Sequence, residues 1–323
     1  MNNVFLPIQL LANWLTYTVF RLSRQTLAAD AVNFFIYDTI KIFILLFVII
    51  FIVSIIRSFL PQEKIRRILS HKYSLVGNIL AALFGVITPF CTCSAIPLFL
   101  GFLEAGVPLG VTFSFLVASP MVNEIALVLL LGLFGWKIAL LYFTSGLLIA
   151  IFSGFIIGRL NVENLLSKNG LQLKANSKNS DQDLTWSGRF LRAKNYSIRV
   201  VKDIWPYIVI GIGIGALIHG LIPTDALAKY AGSGQWYSVP IAVLIGIPLY
   251  AKEAGVIPLV SVLTEKGVSM GTTLAFMMSA TGLSLPEFLI LKKVMKTKLI
   301  VIFAGIVGLG ILFTGYLFNF ILK

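Results

Sequence analysis

The chain has 323 residues, 58% of them hydrophobic and only 12% charged, with a mean hydropathy of +0.94. That balance excludes a water-soluble globular protein and calls for several apolar spans across a hydrocarbon core about 30 Å thick. The net charge of +13 does not point to nucleic acid, because 18 of the 26 Lys and Arg residues lie in three connecting segments: five in Arg57 to Lys72, nine in Arg159 to Lys202 and four in Lys292 to Lys298. Basic loops of this kind stay on the cytoplasmic side, so the expected surroundings are a lipid bilayer and a small-molecule substrate.

In chain order, residues 1–29 hold a short apolar segment, Leu6 to Phe20, read as a weak span or an interfacial helix. It has no basic region before it, and Val19-Phe20-Arg21 is no small-residue cleavage site, so it is not read as a signal peptide. Residues 30–158 form a first transmembrane half. Asp38 to Ile56 spans inward, and Ser74 to Phe90 enters from the inside. Pro89 and Pro97 interrupt it, and Ile96 to Leu103 is too short to span, which predicts a re-entrant hairpin. Leu109 to Leu131 then spans outward and Ile138 to Ile157 returns.

Residues 159–202 are a basic cytoplasmic linker whose later part, Trp186 to Lys202, suits a basic interfacial helix. Residues 203–323 form the second half: Ile204 to Ile222, a hairpin of Val239 to Tyr250 and Val256 to Leu263, then Met270 to Leu291 and Leu299 to Leu322.

The halves share a sequence repeat. Ile96 to Phe115 and Ile257 to Phe276 match without a gap at nine of 20 positions, including Glu104/Glu265, Gly106/Gly267 and Gly110/Gly271. The expected fold is therefore an all-α polytopic membrane protein with an inverted-topology internal repeat, each half carrying a re-entrant hairpin. Such repeats belong to transporters, which hold substrate where the halves meet.

Both cysteines of the chain fall at the first hairpin tip, Pro89-Phe90-Cys91-Thr92-Cys93-Ser94. Two neighbouring thiols favour a thiophilic ligand, with hydroxyls of Thr92 and Ser94 beside them; packing of a tight hairpin is the plainer reading. Two sulfur donors fall short of a closed zinc site, and no Walker sequence is present, so neither a resident metal nor a cofactor is expected. The opposite tip carries Tyr250, Lys252 and Glu253, where Lys252 suits an anion or a carboxylate partner. Ser119-Pro120-Met121-Val122-Asn123-Glu124 breaks the span after the first repeat copy; Asn123 suits substrate hydrogen bonding or capping, and Glu124 suits proton coupling. Glu287 holds a similar place in the second half after a two-residue insertion; like Glu124 it suits a proton carrier or a partner for Lys252, while its nearness to Lys292 and Lys293 makes a surface ion pair its plainer reading. Gly211, Gly213 and Gly215 read as close helix packing.

Three segments, Thr88 to Leu98, Gly106 to Gly110 and Ala118 to Asn123, together with Gly246-Ile247-Pro248-Leu249-Tyr250, resemble a predicted permease family that includes organoarsenical efflux permeases. The resemblance covers roughly residues 30–320. It implies a polytopic inner-membrane permease that expels a trivalent organoarsenical such as methylarsenite, with cysteines taking part in recognition. Many members carry a cysteine just after the second Pro-Leu-Tyr, where this chain reads Ala251-Lys252-Glu253. A three-thiol site cannot form within this chain, and Lys252 makes a small anion the alternative substrate. A channel and a membrane thiol-disulfide oxidoreductase using Cys91 and Cys93 are the competing readings.

Overall fold

The structure, a computed structural model, describes residues 5–23, 26–59, 74–88, 92–122, 124–160, 162–166, 186–219, 235–248, 260, 263–264, 266–292 and 294–322. These residues are almost entirely helical. Helix α1 (Leu6–Asn13) runs into a π-helical stretch, Trp14–Val19. It lies along the first part of α2 (Leu27–Phe59), where Asn33 Nδ2 donates to Asn13 Oδ1 at 2.9 Å and Lys41 Nζ sits 4.6 Å from the Phe5 ring centroid.

The first half continues with α3 (Ser74–Ile87), α4 (Thr92–Glu104), α5 (Leu109–Met121), α6 (Glu124–Phe134) and α7 (Trp136–Arg159). Helix α3 stops just short of Pro89, as the residue before a proline is pushed out of the helical region. The Thr88 hydroxyl donates to Phe84 O and Gly85 O at 3.0 and 2.9 Å, occupying carbonyls that the helix end leaves open. A 3-10 turn, Val162–Leu165, follows α7. The second half has α8 (Trp186–His219), α9 (Ser238–Gly246), α10 (Met270–Gly282), α11 (Leu285–Leu291) and α12 (Thr297–Ile321).

Among the described residues α7 and α12 are each long and apolar enough to cross a membrane, as is the stretch Met270–Leu291. The broken pair Leu109–Met121 and Ala126–Phe134, bent by 46°, is together long and apolar enough for a broken span or a re-entrant loop.

The same local chemistry recurs 161 residues on. Before α5 and before α10 a glycine adopts positive φ, Gly106 at 76° and Gly267 at 84°, a conformation that costs glycine nothing sterically. In both turns the glycine's own amide and the one after it bond back to the residues before the turn: Gly106 N–H to Leu103 O and Val107 N–H to Phe102 O, then Gly267 N–H to Thr264 O and Val268 N–H to Leu263 O, all at 3.0 Å. This pattern ends one helix and aims the next. Thr112 and Thr273 each turn a hydroxyl back 3.0 Å onto the residue before the helix, Pro108 O and Ser269 O.

Packing follows the same register. Helix α3 packs on α5 and α7, and α9 packs on α10 and α12. A Cβ at Gly85 would lie 3.0 Å from Phe115 O; one at Gly246 would lie 2.9 Å from Phe276 O. Gly110 abuts Gly154 and Gly158 of α7, while Gly271 abuts Gly315 and Asn319 of α12. Without a side chain at these points the helix backbones approach closely, as small residues allow in membranes.

Every residue from Leu109 to Val122 and from Gly271 to Ser284 is buried, so α5 and α10 form the centre. A helix apolar on all sides belongs there. Helices α7 and α12 flank them and leave Leu148, Phe152, Leu309 and Phe313 exposed toward the surrounding apolar phase. The outer pair α2 and α8 run antiparallel: the Phe51 and Phe190 rings are 4.8 Å apart, while Phe35 lies 3.6 Å from the Cβ position of Gly213. The sequence reading split Trp186 to Lys202 from the following span; in the structure they form one 34-residue helix, about 50 Å long at ~1.5 Å per residue. Its buried Ala193 and Ser197, one turn apart, are at 1% and 0% exposure.

Candidate functional site

The two central helices both break at their C-terminal ends. Val122 (φ −128°, ψ 81°) ends α5 and Leu283 (φ −135°, ψ 32°) ends α10. In each case the amide still reaches the fourth residue back, Val122 N–H to Ala118 O at 2.9 Å and Leu283 N–H to Ser279 O at 3.0 Å. Pro120 and Pro286 lack an N–H and loosen the backbone on the two sides of their breaks. The register here remains 161 residues, with no insertion. Leu285 therefore stands opposite Glu124, and Ala126 opposite Glu287, which corrects the alignment expected from sequence.

The breaks meet. Met121 Cε lies 2.9 Å from the Cβ position of Gly282, its own repeat equivalent. Ile149 and Gly310, also equivalent, touch at 3.2 Å. In both contacts a residue meets the one 161 positions away in the chain. Ser119, Ser279, Thr281 and Ser284, on the two central helices and the α10 break, are all buried. The Ser279 hydroxyl is committed to Phe276 O at 2.9 Å, and that of Thr281 to Met277 O at 3.0 Å. A row of rings, Phe99, Phe113, Phe303 and Phe288, crosses from α4 through α5 and α12 to α11 with centroid separations of 5.4, 5.3 and 6.3 Å.

Thr92, Cys93 and Ser94 form the first turn of α4, which packs against α2, α5 and α11. Glu124 opens α6 and is exposed. Cys91, Asn123, Tyr250, Lys252 and Glu253 lie outside the described residues. The register anchored at Gly85/Gly246 and Ile96/Ile257 puts Lys252 opposite Cys91.

Glu287 is not the surface ion-pair group that its sequence neighbours suggest. It is 1% exposed, and both carboxyl oxygens lack a hydrogen-bond partner among the described residues. Lys292 is exposed. The signal was present in the helical spacing: Leu283, Ile290, Leu291 and Val294 are all buried, so Glu287 sits on the inward face.

Apolar spans around a pair of centrally buried broken helices define a multi-pass α-helical membrane protein of the permease class. Irregular backbone at such depth is tolerated where protein encloses it or it lines a polar path. The chain belongs to the family described as predicted permease, which matches residues 27–320. It is 23% identical over 305 residues to a UPF0718 protein of Methanocaldococcus jannaschii, covering 77% of this chain and 83% of that one. A Streptococcus mutans protein named as a subunit of a two-component membrane permease complex is 24% identical over 254 residues, covering 78% and 79%. Escherichia coli YraQ is 24% identical over 245 residues, covering 76% and 68%. No solved structure matches.

Proposed function

We propose that this permease is a secondary transporter of the cell membrane with inverted halves, and that it exports a trivalent organoarsenical from a site between the two hairpin tips. The observation that carries the reading is the meeting of two equivalent broken helices, Met121 against Gly282, at the centre of the protein. Inverted orientation is supported by two pairs of equivalent helices. Helices α2 and α8 are antiparallel. The residues just after α7 also adjoin the start of α12: Lys296 N–H donates to Leu165 O at 2.8 Å, and Lys296 Nζ to Asn164 O at 3.1 Å. With α7 and α12 in contact, those junctions give them opposite directions. Movement of one half against the other would then expose the centre to each side in turn. The linker 159–202 and the Lys292 to Lys298 cluster lie on the cytoplasmic side in this arrangement.

Cys91 and Cys93 supply the thiol ligands, with Thr92, Ser94 and Asn123 as hydrogen-bonding groups. Trivalent arsenic is a soft centre, and paired thiols are its natural ligands. A second reading rests on the repeat register: Lys252 stands where the first half has Cys91, which favours a small anion such as a sulfur oxyanion.

Uptake into everted vesicles separates the two. Saturable methylarsenite accumulation that disappears in Cys91→Ser/Cys93→Ser is the expected result. Vesicles that ignore methylarsenite and accumulate thiosulfate or sulfite would overturn the arsenical assignment and shift recognition to Lys252.

A further inference from the structure

We propose that the Glu287 carboxyl is a proton-binding site of the transport cycle, reached from the aqueous phase only when the packing of α11 against α4 and α8 opens. This rests on the transporter reading above and adds a coupling group to it. Both Glu287 oxygens are enclosed and unpartnered among the described residues, in a helix that immediately follows the α10 break. An unpaired carboxylate so enclosed costs several kcal/mol, roughly what breaking a buried ion pair costs. The cheapest way to hold the group in a closed site is as a neutral acid, with the proton on one of its own oxygens. A metal cation would need several ligands around it, and among the described residues no group of three His, Cys, Asp or Glu side chains that could hold one occurs.

The location links the group to substrate. Helix α11 packs on α4, whose first turn is Thr92-Cys93-Ser94, and on α8. Closing the site around substrate and enclosing Glu287 therefore involve one and the same helix packing. Titratable groups on the surrounding elements are Cys93 and Glu104 on α4, Asp203, Tyr207 and His219 in the apolar part of α8, and Lys298 and Tyr316 on α12. The remaining charges of α8, up to Lys202, are basic. Lys292 and Lys298 are exposed. The equivalent position in the first half is Ala126, so the second half alone carries an acid there. The cycle has one step at this residue: a carboxylate takes a proton from one aqueous face to give a neutral acid, and returns it to the other face when the packing opens there.

The test has two arms. Purified protein is treated with dicyclohexylcarbodiimide, which reacts with protonated carboxyls in apolar sites, between about pH 5.5 and 8.5, and the adduct is mapped by mass spectrometry. We expect an adduct at Glu287 that declines as pH rises. No adduct there at any pH would overturn the proposal. In proteoliposomes, Glu287→Gln should lose methylarsenite accumulation driven by a pH gradient while keeping methylarsenite counterflow. Unchanged gradient-driven accumulation would overturn the proposal, and Glu287→Asp provides a second variant with the carboxyl retained. If wild type moves no methylarsenite, the substrate reading fails by itself, and the carbodiimide arm still decides the proton site.

Discussion

Alanine at Gly110 gives the sharpest test of how the central helices pack. The new Cβ would lie 2.7 Å from Gly158 Cα and 2.9 Å from Gly158 N, both backbone atoms of α7. No side-chain rotation relieves that clash, so α5 and α7 must separate. Overpacking of a tight core costs about 1–3 kcal/mol, and a backbone-to-backbone clash belongs at the upper end. Gly132→Ala is the matched control: it lies in α6, and its Cβ would meet nothing within 4 Å. There alanine gains about 0.5–1 kcal/mol from its better helix propensity. The two substitutions should therefore shift stability in opposite directions and differ by roughly 3.5–4 kcal/mol, or about 7–8 °C in Tm at ~2 °C per kcal/mol for a chain of this size. Heating in detergent followed by fluorescence-detected size-exclusion chromatography reads that difference. Gly271→Ala, whose Cβ would lie 2.6 Å from Asn319 N, should fall with Gly110→Ala. Indistinguishable Tm values for Gly110→Ala and Gly132→Ala would refute the close-packing argument.

Two further outcomes follow from the proposed inverted arrangement of the halves. In a Cys91→Ser/Cys93→Ser background, Ile149→Cys with Gly310→Cys should oxidise to a disulfide, because the two Cβ positions are 3.7 Å apart and a disulfide needs about 3.5–4.5 Å. Intact mass shows the bond, and a pair that stays reduced under copper phenanthroline would contradict the α7–α12 crossing. In the same background, Pro108→Cys and Ser269→Cys are repeat equivalents and should react with a membrane-impermeant maleimide from opposite faces, Pro108→Cys from the cytoplasm. Labelling of both from one face would contradict inverted halves.

The turn before each central helix was legible because its chemistry is local. A glycine at positive φ and a threonine one turn into the helix appear directly in the repeated letters, Gly106/Gly267 and Thr112/Thr273. The break after α5 was legible too, since Pro120 marks it. Its partner in the second half was misaligned because two acids, Glu124 and Glu287, invited pairing by residue type, whereas packing holds the register by backbone position. Glu287 was read from its sequence neighbours Lys292 and Lys293, but helical geometry turns it toward Leu283 and Ile290 instead. The helix over Trp186 to Lys202 was legible, but its basic composition suits an interfacial helix and so hid its continuation into the following span. Ala193 and Ser197, one turn apart, give that stretch a small buried face, and α8 packs on α2 and α11. The antiparallel relation of equivalent helices is a long-range property that no local pattern encodes.

The most direct test of a centrally placed, alternately accessible site uses Ser284, which is 4% exposed beside the α10 break. Ser284→Cys in the cysteine-free background is exposed to a membrane-impermeant maleimide in right-side-out and in everted vesicles, with Leu299→Cys, a fully buried position on α12, as the control. With alternating access, Ser284→Cys reacts from both faces and Leu299→Cys from neither. A Ser284→Cys thiol that reacts from one face only, or from none, would contradict alternating access at the meeting point of the two breaks.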